Sequence, residues 1–247
     1  MSKRQKVKNV VPSLATISSL MLGVMAIMVL MEGDFWLAAV LMTLGSVLDV
    51  LDGELAVRLD AISHLGKELD SLADMVTFGV APTIMLYRLL THVGVALPVA
   101  MVTSLVFVFA GAYRLARYNT LPSDRRAYFK GMPIPAACLV LVSGSLWQHW
   151  VVHLWWPLVV IMVSALMVSA FPYPKNFHVL RMPPLVILGV AAFVFSWGLL
   201  AGGWHAMPFG FFTLYAVSGP VRTLYFFWKH RRFGGEAYVE RSAGGMA

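Results

Sequence analysis

DVLDGELAVRLDAISHLGKELDSLADMVTFGVAP, residues 49–82, is the stretch on which the reading of this chain turns. Most of the protein is apolar, yet seven of its twelve acidic residues fall between Asp49 and Asp74. Asp49 and Asp52 are three apart, and Asp70 and Asp74 four apart. Residues at those spacings share a helix face, so each pair aims two carboxylates at one point. Two such helices side by side bring four carboxylates together. At the edge of a membrane that arrangement is costly without a counter-charge. One or two divalent cations, which take hard oxygen ligands, meet the need.

Small residues accompany the acids. Gly53 follows Asp52, Ala56 comes a turn later, and Gly66 precedes Asp70 by four. They clear side-chain bulk beside the carboxylates and let a flat or phosphorylated ligand approach the backbone. Carboxylates, a divalent metal and an open patch suit a pyrophosphate, whose oxygens bridge metal ions. Solvated acids at helix ends are the bland alternative. Two helical spacings with matched small residues weigh against it.

Composition sets the class. Of 247 residues, 59% are hydrophobic and 13% charged, and the mean hydropathy is +0.75. That is an integral membrane protein of the all-α kind. Cys138 is the single cysteine and lies in an apolar run, so no disulfide framework is expected. Lys3, Arg4, Lys6 and Lys8 precede an apolar run too long for the core of a cleaved signal. The net charge of +7 is spread over loops, which argues for an anionic membrane surface as partner and against nucleic acid.

Eight candidate spans emerge: 11–31, 35–57, 69–90, 94–117, 131–150, 153–171, 183–201 and 208–228. The turns near Glu32–Asp34, Thr91–Gly94, Trp150–His153 and Gly202–His205 hold almost no cation. Of the 19 Lys and Arg residues, 18 sit on the other side, and Arg88 is the exception. This bias puts both termini and the Asp49–Asp74 cluster at the cytoplasmic face. Residues 1–10 are expected to form a basic tail, 11–230 one membrane domain, and 231–247, polar and Gly-rich, a disordered end. His149 and His153 have metal-pair spacing. They lie among Trp147, Trp150, Trp155 and Trp156, so an interfacial aromatic belt is the better reading. Gly189–Gly198 and the small residues of the sixth span suit close helix packing.

Asp49-x-x-Asp52-Gly53-x-x-Ala56, then Gly66-x-x-x-Asp70-x-x-x-Asp74, resembles the signature of the CDP-alcohol phosphotransferase family. LGKELDSLADMVTFGVAP (65–82), GAYRLARYN (111–119), GMPIPAA (131–137) and VPSLATISSLMLGVMA (11–26) are similar to the bacterial, membrane-embedded, serine-accepting branch. The resemblance implies transfer of a phosphatidyl group from CDP-diacylglycerol to L-serine, with CMP leaving. It implies Mg²⁺ or Mn²⁺ on Asp49, Asp52, Asp70 and Asp74, with Asp74 also the general base. Gly53, Ala56, Gly66 and Asp70 would bind the CDP moiety. Arg114 and Arg117 match the family's R-L-x-R-x-N stretch and are candidates for the serine carboxylate, with positive-inside anchoring the competing reading. Membrane lipids, a homodimer and an inner-membrane location are also implied by the resemblance. One departure stands out: the family's Arg falls where this chain has Val57, and Arg58 comes next.

Three alternatives share parts of this pattern. Glycerol-phosphate, inositol or choline acceptors would use the same metal site. Intramembrane prenyltransferases also bind pyrophosphate, but through Asp motifs far apart in sequence. A cation-coupled transporter would hold its acids near mid-membrane, whereas these close one span and open the next.

Overall fold

The computed structural model describes residues 3–59, 64–120, 128–146, 155–174 and 207–233. Its helices are α1 (Lys3–Glu32), α2 (Phe35–Arg58), α3 (His64–Asp74), α4 (Ala81–His92), α5 (Leu97–Thr120), α6 (Ile134–Ser145), α7 (Trp156–Val168) and α8 (Met207–Phe233). A π-helical turn, Met75–Val80, joins α3 to α4 in one rod. Two short strands, β1 (Tyr128–Lys130) and β2 (Pro172–Pro174), complete the described elements.

Among the described residues, four helical stretches are long and apolar enough to cross a membrane: Ser13–Glu32, Phe35–Leu55, His64–His92 and Leu97–Thr120. They match the first four expected spans. Residues 3–10, read above as a tail, are helical and run straight into α1. Within the fifth and sixth expected spans the described helices run for 12 and 13 residues, and residues 147–154 lie outside the described residues. Proline sets these starts. Pro133 is extended, with φ −59° and ψ 142°, immediately before α6, and Pro157 lies in the first turn of α7. The expected span 183–201, the turns at Trp150–His153 and Gly202–His205, the His149–His153 pair and residues 234–247 lie outside the described residues.

Two connections end in the same way. Gly33, at φ 91°, donates to Leu30 O, and Asp34 donates to Val29 O. Gly94, at φ 88°, donates to Thr91 O, and Val95 to Leu90 O. Both are Schellman closures, in which a left-handed residue satisfies the last carbonyls of a helix. Asp34 then accepts from Leu37 N at 2.9 Å and starts α2. Arg88 of α4 donates to the carbonyls of Leu30 and Met31, closing α1 from across the bundle. Its charge, the one exception to the loop bias, is therefore matched by carbonyls.

The core runs through Phe78, Phe107, Ile134 and Trp156, all with no exposed surface. Close approach is built in: a Cβ on Gly111 would lie 2.7 Å from Ile134 Cδ1. Large apolar side chains such as Met21, Met28, Leu105 and Phe109 point outward. On helices of this length and hydropathy they form the surface offered to lipid.

The strands are an addition to the all-helical expectation. They pair antiparallel with Phe129 opposite Tyr173. Gly131, at φ 80°, follows β1, and a Cβ there would sit 2.3 Å from Met167 O. Only glycine fits both that φ and that space. Tyr173 donates to Ala216 O at 2.8 Å and so fastens α8 to the hairpin.

Candidate metal and acceptor site

Asp49 and Asp52 lie in the C-terminal half of α2, and Asp70 and Asp74 in α3. The fold brings three of the four into one cluster. Asp49, Asp70 and Asp74 each present an oxygen, all within 4.8 Å of one another, and each is half-buried. Asp52 is 4% exposed and uses Oδ2 to accept from Thr16 Oγ1 of α1 at 2.6 Å. It stays in electrostatic range of Asp49 and Asp70. The sequence alone does not single out Thr16. A threonine in an apolar helix carries no signal until the helix opposite is known.

The donor set can be tested against the metal the pattern implies. Three carboxylates this close repel one another if all are charged. Hard oxygen donors at converging positions suit Mg²⁺ or Mn²⁺ and do not suit softer ions. The residues fit.

Space beside the acids is uneven. Gly53 is exposed, and a Cβ there would meet nothing within 4 Å. That leaves room for a ligand next to Asp52. Gly66 is half-buried in the first turn of α3. The side chains of Ala56 and Val57 lie outside the described residues. Arg58 is 73% exposed and pairs with Glu54 at 2.5 Å, one turn back on the same helix. Such exposed pairs contribute about 0.3–0.5 kcal/mol. Arg58→Ala is therefore expected to leave stability and the activity of the site near wild type, within about 0.5 kcal/mol. A severe loss of activity would mean that Arg58 serves in place of the Arg of the resembled signature, which position 57 does not supply.

The two arginines of α5 part company. Arg117 donates to Val168 O at 2.7 Å, Lys130 O at 2.9 Å, Ser169 O at 3.1 Å and Met167 O at 3.5 Å. It caps α7 and ties that end to β1. Arg114 is 7% exposed and interacts electrostatically with Asp49, Asp74 and Tyr215. Its Nε has no hydrogen-bond partner among the described residues. A buried guanidinium with an unused donor, facing a carboxylate cluster, is suited to an anionic ligand group. Arg114→Ala is thus expected to weaken binding of an anionic ligand group selectively. Arg117→Ala is expected to lower thermal stability and, through it, activity without selectivity for any one ligand. Equal, unselective losses from both variants would return Arg114 to a packing role.

Two further contacts hold α3 to α5. Asn119 Nδ2 donates to Ser71 Oγ at 2.8 Å, and Lys67 Nζ stands 5.8 Å from the Tyr118 ring centre.

Comparison with known proteins gives the family independently of this geometry. The model of the family described as CDP-alcohol phosphatidyltransferase matches residues 9–171. CDP-diacylglycerol–serine O-phosphatidyltransferase of Mycobacterium tuberculosis is 34% identical over 206 residues, covering 74% of this chain and 69% of its own. The protein of that name from Bacillus subtilis is 37% identical over 138 residues, covering 55% of this chain and 76% of its own. The one from Helicobacter pylori is 41% identical over 133 residues, covering 53% of this chain and 55% of its own.

Proposed function

Because the chain belongs to the CDP-alcohol phosphatidyltransferase family, we propose that it transfers the phosphatidyl group of CDP-diacylglycerol to L-serine. The observation that carries this reading is the pairing of the Asp49–Asp70–Asp74 cluster with Arg114, whose buried Nε is unpartnered among the described residues. Carboxylates without such a cation would suit a neutral alcohol as well. A guanidinium beside them suits an acceptor that carries an anionic group, as serine does in its carboxylate. The names of the similar proteins support the same choice.

Asp49, Asp70 and Asp74 would hold a divalent cation, with Asp52 beside them. When bound, that cation supplies charge stabilisation to the phosphoryl oxygens. Asp74 accepts the proton of the serine hydroxyl. The hydroxyl oxygen forms the new bond to the phosphorus that carries the diacylglycerol, and the bond from that phosphorus to the CMP oxygen breaks. The products are phosphatidylserine and CMP. Arg114 orients serine through its carboxylate, and Gly53, Ala56 and Gly66 leave room for the nucleotide.

The reading extends to placement. The Lys and Arg bias supports eight spans, both termini in the cytoplasm, and a site facing the cytoplasm at the inner membrane. A homodimer belongs to the same family-based reading.

The test is an assay on purified protein with CDP-diacylglycerol, Mg²⁺ or Mn²⁺, and a panel of serine, glycerol 3-phosphate, inositol and choline. Serine-dependent CMP release with formation of phosphatidylserine is expected. Release with a different alcohol alone would reassign the acceptor within the family. No release with any alcohol would remove the transferase reading.

A further inference from the structure

A second group of interacting residues lies close to the carboxylates and is not accounted for by the chemistry above. Its centre is Thr77, in the π-helical turn Met75–Val80 that begins directly after Asp74. Thr77 has no exposed surface. Its Oγ1 donates to Ser19 O of α1 at 3.0 Å. Ser19 Oγ in turn donates to Gly45 O of α2 at 3.1 Å. Three helices are thus linked through two hydroxyls.

The packing is as close as the hydrogen bonding. A Cβ on Gly23 of α1 would lie 2.4 Å from Thr77 Oγ1 and 2.7 Å from its Cα. A Cβ on Gly45 of α2 would lie 2.8 Å from Thr77 Cγ2. No side chain larger than hydrogen fits at either glycine without moving Thr77. Each partner is also one turn from the site. Gly45 precedes Asp49 by four, Thr77 follows Asp74 by three, and Ser19 follows Thr16, the donor to Asp52, by three. A π turn closes on the residue five along instead of four, so it rotates the helix face beyond the turn relative to the face before it. Placed directly after Asp74, it lets one rod turn Asp70 and Asp74 to the carboxylate site and Thr77 into the groove between α1 and α2.

We infer that Thr77 is a positioning residue: wedged between Gly23 and Gly45, it sets the separation of Asp74 from Asp49 and so tunes the metal site they form. The inference rests on the phosphatidyl-transfer reading for its kinetic consequence but not for its metal consequence. Thr77 has no exposed surface and is not one of the clustered carboxylates. It acts through the helices that carry the carboxylates.

The experiment uses the full-length protein in detergent or nanodiscs, with two readouts. One is direct Mn²⁺ binding followed by electron paramagnetic resonance. The other is kcat and KM for CMP release, normalised to folded protein. Misplacement of reacting groups by about 1 Å costs up to about 100-fold in rate. Thr77→Val keeps the shape and loses the donor. It is expected to weaken Mn²⁺ binding and to lower kcat by about 10-fold or more, on the same positional argument, with the serine KM little changed. Thr77→Ser keeps the donor and is expected to recover most of both.

A second pair guards against a variant that fails to fold. Gly45→Ala pushes on Thr77 Cγ2 and is expected to reproduce the loss. Adding Thr77→Ser removes the methyl group that it meets and is expected to restore Mn²⁺ affinity. If Mn²⁺ binding and kcat per folded molecule are unchanged in Thr77→Val and Gly45→Ala, whatever their melting temperatures, the inference is overturned. Wild-type protein that binds no Mn²⁺ overturns it as well. Wild-type protein that binds Mn²⁺ but releases no CMP removes the transferase reading alone. Weakened Mn²⁺ binding in Thr77→Val then still supports the positioning role.

Discussion

Asp74→Asn is expected to lower phosphatidyl transfer by about 10²–10⁴-fold, the range of a lost general base, in a protein that still folds and inserts. The second half of that expectation is what separates catalysis from packing. Asp74 lies in the cluster with Asp49 and Asp70, whose ligand oxygens are within 4.8 Å of one another. In the absence of a cation, like charges this close oppose the folded state. Asp49 and Asp74 share a hydrogen bond, which needs a proton on one of them, and an amide at 74 can donate the same bond. Arg114 keeps Asp49 as an electrostatic partner, so the change does not strand it. The variant is therefore expected to melt no lower than wild type in EDTA while failing to release CMP. Functional sites commonly hold such a conflict between activity and stability. CDP-diacylglycerol binding, measured separately, is expected to fall far less than turnover. Near wild-type turnover would move the base elsewhere. A large drop in melting temperature would make Asp74 a structural residue first.

The carboxylate cluster was legible because helical period alone puts residues three and four apart on one face. Neither pair needed a partner to be recognised. What α1 contributes was not legible. Thr16, Ser19 and Gly23 sit in an apolar helix whose composition does not say which face meets α2. Their roles emerge only when Asp52, Gly45 and Thr77 arrive opposite them. Arg114 and Arg117 make the same point. Three residues apart, they share one side of α5, and the spacing cannot tell them apart. About 60° of rotation, the remainder of a 3.6-residue turn, leaves one beside Asp74 and the other on the carbonyls of α7.

Short helices and strands were hidden for other reasons. A hydropathy window runs across Pro133 and Pro157, although each proline limits where a helix starts. The β1–β2 pair brings together segments more than 40 residues apart, Phe129 against Tyr173. No local pattern in three residues announces such a pairing. The π turn is equally silent: Gly79 in MVTFGV weakens a helix but does not announce a closure five residues along.

Asp49→Asn and Asp70→Asn are each expected to abolish most activity through the metal, and Asp52→Asn is the informative control. Affinity for a hard divalent ion depends on the number and charge of its oxygen ligands. Asp49 and Asp70 bring their oxygens to the shared point with Asp74. Losing either charge should raise the Mg²⁺ or Mn²⁺ concentration needed for half-maximal rate. Asp52 differs because one of its oxygens accepts from Thr16. An Asn at 52 can accept the same hydrogen bond through its amide oxygen but brings no charge. Thr16→Val removes the hydrogen bond and leaves the charge. If Asp52 works as a ligand, Asp52→Asn shifts the metal requirement like its neighbours and Thr16→Val shifts it less. If Asp52 only joins α1 to α2, Asp52→Asn keeps that bond and stays near wild type, while Thr16→Val loses it and saturating metal does not restore it. Near wild-type rates and metal dependence in Asp49→Asn, Asp52→Asn and Asp70→Asn together would remove the metal assignment from this cluster.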